Sequence, residues 1–74
     1  MPNKTRKQIL LTAMKSAEQA TARAARYIMQ QKTVMALDSI AAARSWVEQL
    51  ESIGADVSEL RHALQDLTAI ALAA

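Results

Sequence analysis

The 74-residue sequence contains no cysteine and no phenylalanine, and it has only one glycine, one proline and one histidine. Without cysteine, the chain cannot build a disulfide scaffold or a thiolate metal site. A single histidine with no acid cluster beside it disfavours a zinc or iron centre, and no glycine-rich loop is present to cradle phosphate. We therefore expect no metal, no cofactor and no small-molecule substrate.

Long hydrophobic runs are also missing, so no segment reaches the roughly 18 apolar residues of a membrane span. Three basic residues precede an apolar stretch that begins with residues 9–11, as in a signal peptide, but that stretch stops at Lys15 and is too short for the hydrophobic region of an export signal. Residues 1–32 have the basic, acid-poor composition of a transit peptide, yet they share the apolar spacing of the rest of the chain. We expect a cytoplasmic protein with no membrane partner.

The apolar half of the composition includes 16 alanines, the best helix formers, and few residues could make turns. This composition predicts an all-α protein. A domain of this size buries only about 60% of the surface of its unfolded chain. Because disulfides and metals are absent, packed helices or oligomerisation must stabilise it, and we expect a homo-oligomer.

Apolar residues recur at spacings of three and four, which predicts three helices in a single domain over 1–74, at about 5–30, 33–53 and 57–73. The predicted seam positions are Leu10, Met14, Ala17, Thr21, Ala24 and Ile28, then Ala36, Ile40, Ala43, Val47 and Leu50, and then Val57, Leu60, Leu64, Leu67 and Ala71. We expect a small antiparallel three-helix arrangement, a helical hairpin plus a third helix, that self-associates through these seams.

The two helix boundaries differ in clarity. Residues 30–33 contain neither glycine nor proline, so a single continuous helix of about 48 residues, roughly 70 Å long, stays open as an alternative. A break there would make Thr33 the N-cap. Gly54 can take the left-handed conformation that closes a helix, and Asp56 with Glu59 matches an acidic capping box for the third helix.

Charge is distributed unevenly along the chain. Residues 1–32 carry seven bases and one acid, a net +6, whereas residues 33–53 and 54–74 each carry one base and three acids, a net −2. The basic helix could pack against acidic neighbours, or it could meet phosphate or an acidic partner. Nucleic-acid binding is therefore our alternative function, and its candidate residues are Lys4, Arg6, Lys7, Lys15, Arg23 and Arg26.

Residues that could support catalysis are few. His62 lies four residues before Asp66, which we interpret as a surface pair. Glu48 and Glu51 share a helix face with Arg44, which indicates charge patterning, with an Arg44–Glu48 ion pair, and not acid/base chemistry. We expect that the protein is not an enzyme.

Trp46 permits two interpretations, either the largest core anchor of an alanine-rich bundle or a hot spot for a partner. Residues 25–50 resemble a tetratricopeptide-type hairpin, with Tyr27 before the turn and Ala36 and Ala43 in the second helix, although the motif's glycine and closing proline are missing. This resemblance implies a hairpin that could cradle another helix, as small adaptor and secretion-chaperone proteins do.

We therefore expect a non-catalytic protein-binding module of the adaptor, chaperone or inhibitor type, which acts by packing a helix into a groove. Arg23 and Arg26 would orient the partner by charge. The predicted apolar contact residues are Trp46, Ile40, Val47, Leu60, Leu64 and Leu67.

Overall fold

The computed structural model of the protein describes residues 5–73, and every regular element within them is an α-helix. These are α1 (Arg6–Met29), α2 (Thr33–Ser52) and α3 (Ser58–Ala73). Each helix begins and ends within one residue of the bounds expected from the apolar spacing. The predicted small all-α three-helix arrangement is confirmed. The alternative of one continuous first helix is wrong, because the chain leaves the helix between α1 and α2.

Helix α1 starts with a capping box. The hydroxyl of Thr5 accepts a hydrogen bond from the backbone N–H of Gln8 (3.1 Å), and the Gln8 side chain accepts one from the backbone N–H of Thr5 (3.0 Å). The two bonds satisfy N–H groups that a helix start otherwise leaves without partners. They fix the point at which α1 begins.

Helix α1 ends in a Schellman motif without glycine. The N–H of Gln31 donates to the Ile28 carbonyl (3.0 Å), and the N–H of Lys32 donates to the Tyr27 carbonyl (2.8 Å). Gln31 has a φ of 60°, a left-handed conformation that costs a residue with a side chain roughly 1–2 kcal/mol. The prediction that Thr33 caps α2 is wrong, since the N-cap is Lys32, which makes no side-chain cap bond.

Replacement of Gln31 by glycine is expected to stabilise the protein by about 0.5–1 kcal/mol, because glycine removes the left-handed penalty but gains freedom in the unfolded chain. Urea denaturation measures the change. The matched control is Gln30→Gly, at an ordinary φ of −87°, which should lower stability. A Gln31→Gly variant that is no more stable than the original protein would contradict this explanation of the turn.

The boundary after α2 depends on Gly54, as predicted. Gly54 has a φ of 85°, its N–H donates to the Glu51 carbonyl (3.0 Å), and the Ala55 N–H donates to the Leu50 carbonyl (3.0 Å). These two bonds form a second Schellman motif, this time with the residue that adopts the left-handed region without strain. The chain then turns towards α3.

The predicted capping box between Asp56 and Glu59 is wrong. The Asp56 carboxylate accepts hydrogen bonds from the hydroxyl (2.7 Å) and the backbone N–H (3.0 Å) of Ser58, the first residue of α3. Asp56 therefore provides a hydrogen-bond acceptor for the first N–H group of α3 through a local turn. The hydroxyl bond, and then the backbone bond, hold the pKa of Asp56 below its usual value of 3.8.

A lowered pKa makes the contribution of Asp56 sensitive to acid. The folded state favours the ionised carboxylate, so this contribution is present above pH 3.8 and is lost as the pH falls through the folded-state pKa. Asp56→Asn should be less stable than the original protein at neutral pH and should lose less stability on acidification. Denaturation at neutral pH and below the usual Asp pKa tests this, with the exposed Asp38 changed to Asn as control. Equal acid sensitivity in Asp56→Asn and the original protein would be the contrary result.

Helices α1 and α2 run antiparallel, as two hydrogen bonds at opposite ends of the pair indicate. The Arg6 side chain, at the start of α1, donates to the carbonyl of Ile53 at the end of α2 (3.0 Å). The Arg23 side chain, near the end of α1, donates to the hydroxyl of the buried Ser39 in the first half of α2 (3.3 Å). The hairpin is thus tied at both ends.

Helix α3 runs back along α2 and is therefore parallel to α1. The Arg44 side chain donates to the Thr68 hydroxyl (3.1 Å), and Arg61 forms an ion pair with Glu51 (2.6 Å). The predicted Arg44–Glu48 pair is wrong, because Arg44 reaches across to α3. These polar contacts bridge α2 and α3.

The core is lined by small side chains on α1 and by larger side chains on α2 and α3. The buried face of α2 matches its predicted seam, with Ser39 added. Helix α3 contributes Leu64 and Ala71, and Val57 is buried just before it. The buried residues of α1 are all alanines, namely Ala13, Ala17, Ala20 and Ala24. Alanine lets α1 and α2 approach closely.

The predicted seam of α1 is therefore only partly correct. Ala17 and Ala24 are buried, but the larger seam residues are only half-buried, namely Leu10, Met14, Thr21 and Ile28. The alanine face fits against α2 more closely than these longer side chains could. The larger residues lie along the edge of the buried stripe, and two of them, Met14 and Thr21, line the surface between α1 and α3.

Candidate docking groove

An apolar groove of about 500 Å³ runs between α1 and α3. Helix α1 contributes mainly small side chains and α3 contributes two half-buried leucines and an alanine. The lining residues are Glu18, Thr21, Ala22, Ala25, Leu60, Ala63, Asp66 and Leu67. Because alanine does not fill the space between two helices, the surface stays open there. The groove has an apolar floor with a carboxylate from each helix beside it.

The groove continues towards the start of α3 as a second depression of about 600 Å³, which shares Glu18, Leu60 and Ala63 with the first. This part adds Met14 from α1 and two acidic residues, Asp56 and Glu59. Four carboxylates therefore lie along the groove, and none of the described residues that line it is basic. Such a surface carries a negative potential over an apolar floor.

The groove differs from the other two helix junctions in how it is closed. Hydrogen bonds cross between α1 and α2 at both ends of the hairpin, and polar pairs cross between α2 and α3. Within residues 5–73, no side-chain hydrogen bond or ion pair joins α1 to α3. The junction between α1 and α3, which has the apolar floor, is thus the one that no side-chain hydrogen bond or ion pair of the described residues bridges.

The predicted apolar contact residues separate into two groups. Ile40, Val47 and Leu64 are buried in the core, so they cannot touch a partner while the bundle stays folded. Leu60 and Leu67 are half-buried and line the groove. The structure thus places two of the predicted contacts on an accessible surface and gives the three buried residues a role in folding.

Trp46 is half-buried and packs against the core. It does not line the groove between α1 and α3. Of the three methionines nearest the first helix and the turn, Met14 also packs against the core, whereas Met29 and Met35 are exposed. Trp46 is thus, like Met14, a half-buried residue at the edge of the core.

The predicted orienting arginines differ in their partners. Arg23 donates to Ser39 inside its own chain, whereas Arg26 is exposed and makes no described side-chain hydrogen bond. Of the other nucleic-acid candidates, Arg6 donates to the Ile53 carbonyl, and Lys4 lies outside the described residues. The remaining candidates, Lys7 and Lys15, are exposed.

Other sequence features form no chemical site in the part of the chain that the structure describes. His62 and Asp66 are exposed, and neither a hydrogen bond nor an ion pair joins them within residues 5–73. No group of three or more acidic or histidine side chains there is placed to hold a metal ion. None of the helices in the described range is both long enough and apolar enough to cross a membrane.

Sequence reasoning missed the residues that give the groove its character, namely Glu18, Ala22, Ala63 and Asp66. Positions on two helices that are about 40 residues apart in the chain create this surface, so no local motif could reveal it. One signal was present in the sequence. Glu18 is the only acid in residues 1–32, and it interrupts an otherwise basic helix face.

In comparisons with protein families, curated proteins and solved structures, the chain matches no family model, no curated protein and no solved structure. The resemblance of residues 25–50 to a tetratricopeptide hairpin is therefore not accompanied by a family match.

Proposed function

We propose that the protein is a non-catalytic protein-binding module that receives an amphipathic helix in the groove between α1 and α3. The observation that carries this proposal is an apolar floor lined by four carboxylates, at the helix junction that no described side-chain bond crosses. Helix-in-groove binding uses such a surface, because an apolar stripe fills the floor while flanking charges choose the partner. Adaptor, chaperone and inhibitor roles all use this mode, and the cytoplasm is the location we propose.

Charge determines which helix fits. A partner with lysine or arginine beside its apolar stripe would place those bases near the acidic residues of the groove. An acidic helix would be repelled, since like charges brought together at an interface reduce affinity. The proposed partner is therefore a basic amphipathic helix.

The length of the groove also suits a helix. Its α1 side extends from Met14 to Ala25, a rise of about 16 Å at 1.5 Å per residue. This corresponds to about three helical turns, enough for three or four apolar anchors at spacings of three and four. A short helix would cover the floor without unfolding any part of the bundle.

Selection from a displayed library of helical peptides tests the proposal. We expect enriched peptides to have an apolar stripe with Lys or Arg on its flanks. Ala63→Arg, which fills the floor and adds a positive charge, should weaken their binding by about tenfold or more.

The matched control is Ala41→Arg on the exposed face of α2, which should leave binding unchanged. Circular dichroism of both variants establishes that they are folded. Enrichment of acidic peptides, or binding that is equally strong in Ala63→Arg, would overturn the proposal.

A further inference from the structure

We propose that the groove is occupied by α1 of a second copy of this chain, in a two-fold symmetric dimer whose two α1 helices run antiparallel. This inference rests on the proposed function, because it names the helix that the groove receives. Of the described helices, α1 has the charge that complements the acidic groove. Within Arg6–Met29 the helix has five bases and one acid, a net +4, and it is the only described helix with a net positive charge.

The outer face of α1 has a second stripe at spacings of three and four, separate from its buried alanines. This stripe consists of Leu11, Lys15, Glu18, Ala22, Arg26 and Met29. Both apolar ends are unusually open, since Leu11 is 58% exposed and Met29 is 84% exposed. Ala22 lies between these ends and also lines the groove. A single helix that packs along this stripe would therefore both cover exposed apolar surface and occupy the groove.

The smallest side chain of the stripe fixes the position of the two-fold axis. If Ala22 lies on the axis, residues equally far before and after position 22 face each other across an antiparallel pair. Glu18 then faces Arg26 of the partner subunit, and symmetry repeats the contact. Glu18 and Arg26 are exposed, and neither makes a described side-chain hydrogen bond or ion pair within its own chain. In the proposed dimer, each of these two side chains faces a residue of opposite charge.

The same register covers the Met29 end of the stripe, whereas position 11 faces position 33, beyond the end of the other copy's α1. Lys15 faces Met29 of the partner subunit, so that its aliphatic stem can cover the thioether while the ammonium group stays in water. The distance from Leu11 to Met29 is about 27 Å along the helix, or five turns. Because α3 borders the groove, each α1 also lies beside the partner's α3, and the four carboxylates of the groove lie near the basic α1 of the other copy.

Charge reversal tests the predicted pair. Glu18→Arg alone and Arg26→Glu alone each replace two attractive contacts by two repulsive ones, and each should raise the dimer dissociation constant by about tenfold or more. An equimolar mixture of the two variants should recover dimerisation, because in the heterodimer one contact places Arg at position 18 opposite Glu at position 26 and the other keeps the original pairing of Glu18 with Arg26. Sedimentation equilibrium measures all three samples and the original protein.

The controls are Glu48→Arg and Lys32→Glu, which make the same charge changes at other exposed positions. They should leave dimerisation unchanged.

Cross-linking through Ala22→Cys tests the position of the axis without any change of charge, and the sequence has no other cysteine. A cysteine on the axis should form a disulfide with its own copy under mild oxidation, whereas Ala41→Cys on α2 should not.

Recovery of the dimer in the mixture, together with cross-linking at position 22, supports the inference. A mixture that stays monomeric, single variants that dimerise as the original protein does, or the absence of cross-linking through Ala22→Cys would each overturn it. An original protein that is monomeric at every concentration overturns it as well. The proposed function fails separately, because it depends on whether Ala63→Arg weakens the binding of basic helical peptides.

Discussion

Leu50→Ala is expected to destabilise the protein by about 2–5 kcal/mol, the usual cost of removing a large side chain from a core. Leu50 is 0% exposed and is one of three large side chains that are fully buried in the described chain, with Val47 and Leu64. Total stability for a chain of this size is about 4–11 kcal/mol. Because alanines make up much of the rest of the core, the neighbours cannot fill the cavity, and we expect a substantial unfolded fraction at room temperature.

Urea denaturation followed by circular dichroism measures this effect. The matched control is Leu72→Ala, which makes the same chemical change on a side chain that is 69% exposed near the end of α3. Its effect should stay within about 0.5 kcal/mol. Similar losses for the two variants would mean that Leu50 is not buried in the core.

Ala17→Leu is expected to destabilise the protein by about 1–3 kcal/mol or more for the opposite reason. Ala17 is 0% exposed in the middle of the alanine stripe that α1 presents to the core. A leucine there would push α1 away from α2 and strain the bonds that join the two helices, Arg6 to Ile53 and Arg23 to Ser39. Leucine has a helix propensity close to that of alanine, so the loss would come from packing.

Thermal unfolding is a suitable measurement, since 1 kcal/mol shifts the melting temperature of so small a domain by about 4–8 °C. Ala41→Leu is the control, because Ala41 is exposed on α2 and a leucine there meets no neighbouring helix core. A melting temperature for Ala17→Leu equal to that of Ala41→Leu would contradict close packing along the alanine stripe.

Residue spacing was sufficient to predict the three helices and the seam of α2. In α2 the core positions carry residues such as Ile40, Val47 and Leu50, which differ clearly from the polar residues on the opposite face. Gly54 likewise identified the second boundary, because its conformational freedom is what that turn requires. Where the side chains on opposite faces differ strongly in size or polarity, the spacing of the apolar residues was enough to predict the helix and its buried face.

The face of α1 could not be predicted in the same way, because alanine occupies both its buried and its exposed positions. Ala24 is buried and Ala22 is exposed, yet the two residues are chemically identical. Their environments depend on how closely α2 approaches, which is a tertiary property. The first turn could not be predicted for a related reason. The rest of the structure holds Gln31 in a left-handed conformation that residues with a side chain disfavour.

The groove was predictable only in part. Leu60 and Leu67 were expected to contact a partner, and they do line an accessible surface. Glu18 and Asp66 were not expected there, since their proximity to the same groove depends on α3 lying parallel to α1. Packing of the whole chain therefore determines the charge of the candidate site, which the net charges of separate segments do not reveal.

Amide NMR spectra recorded over a range of protein concentrations test most directly whether the groove between α1 and α3 is the docking surface. We predict that resonances which move with concentration come from residues that line the groove, such as Ala22 and Ala63, and from the exposed stripe of α1. Residues around Trp46 should not move. Concentration-dependent shifts centred on Trp46, or spectra that do not change with concentration, would contradict a groove occupied by a second copy of the chain.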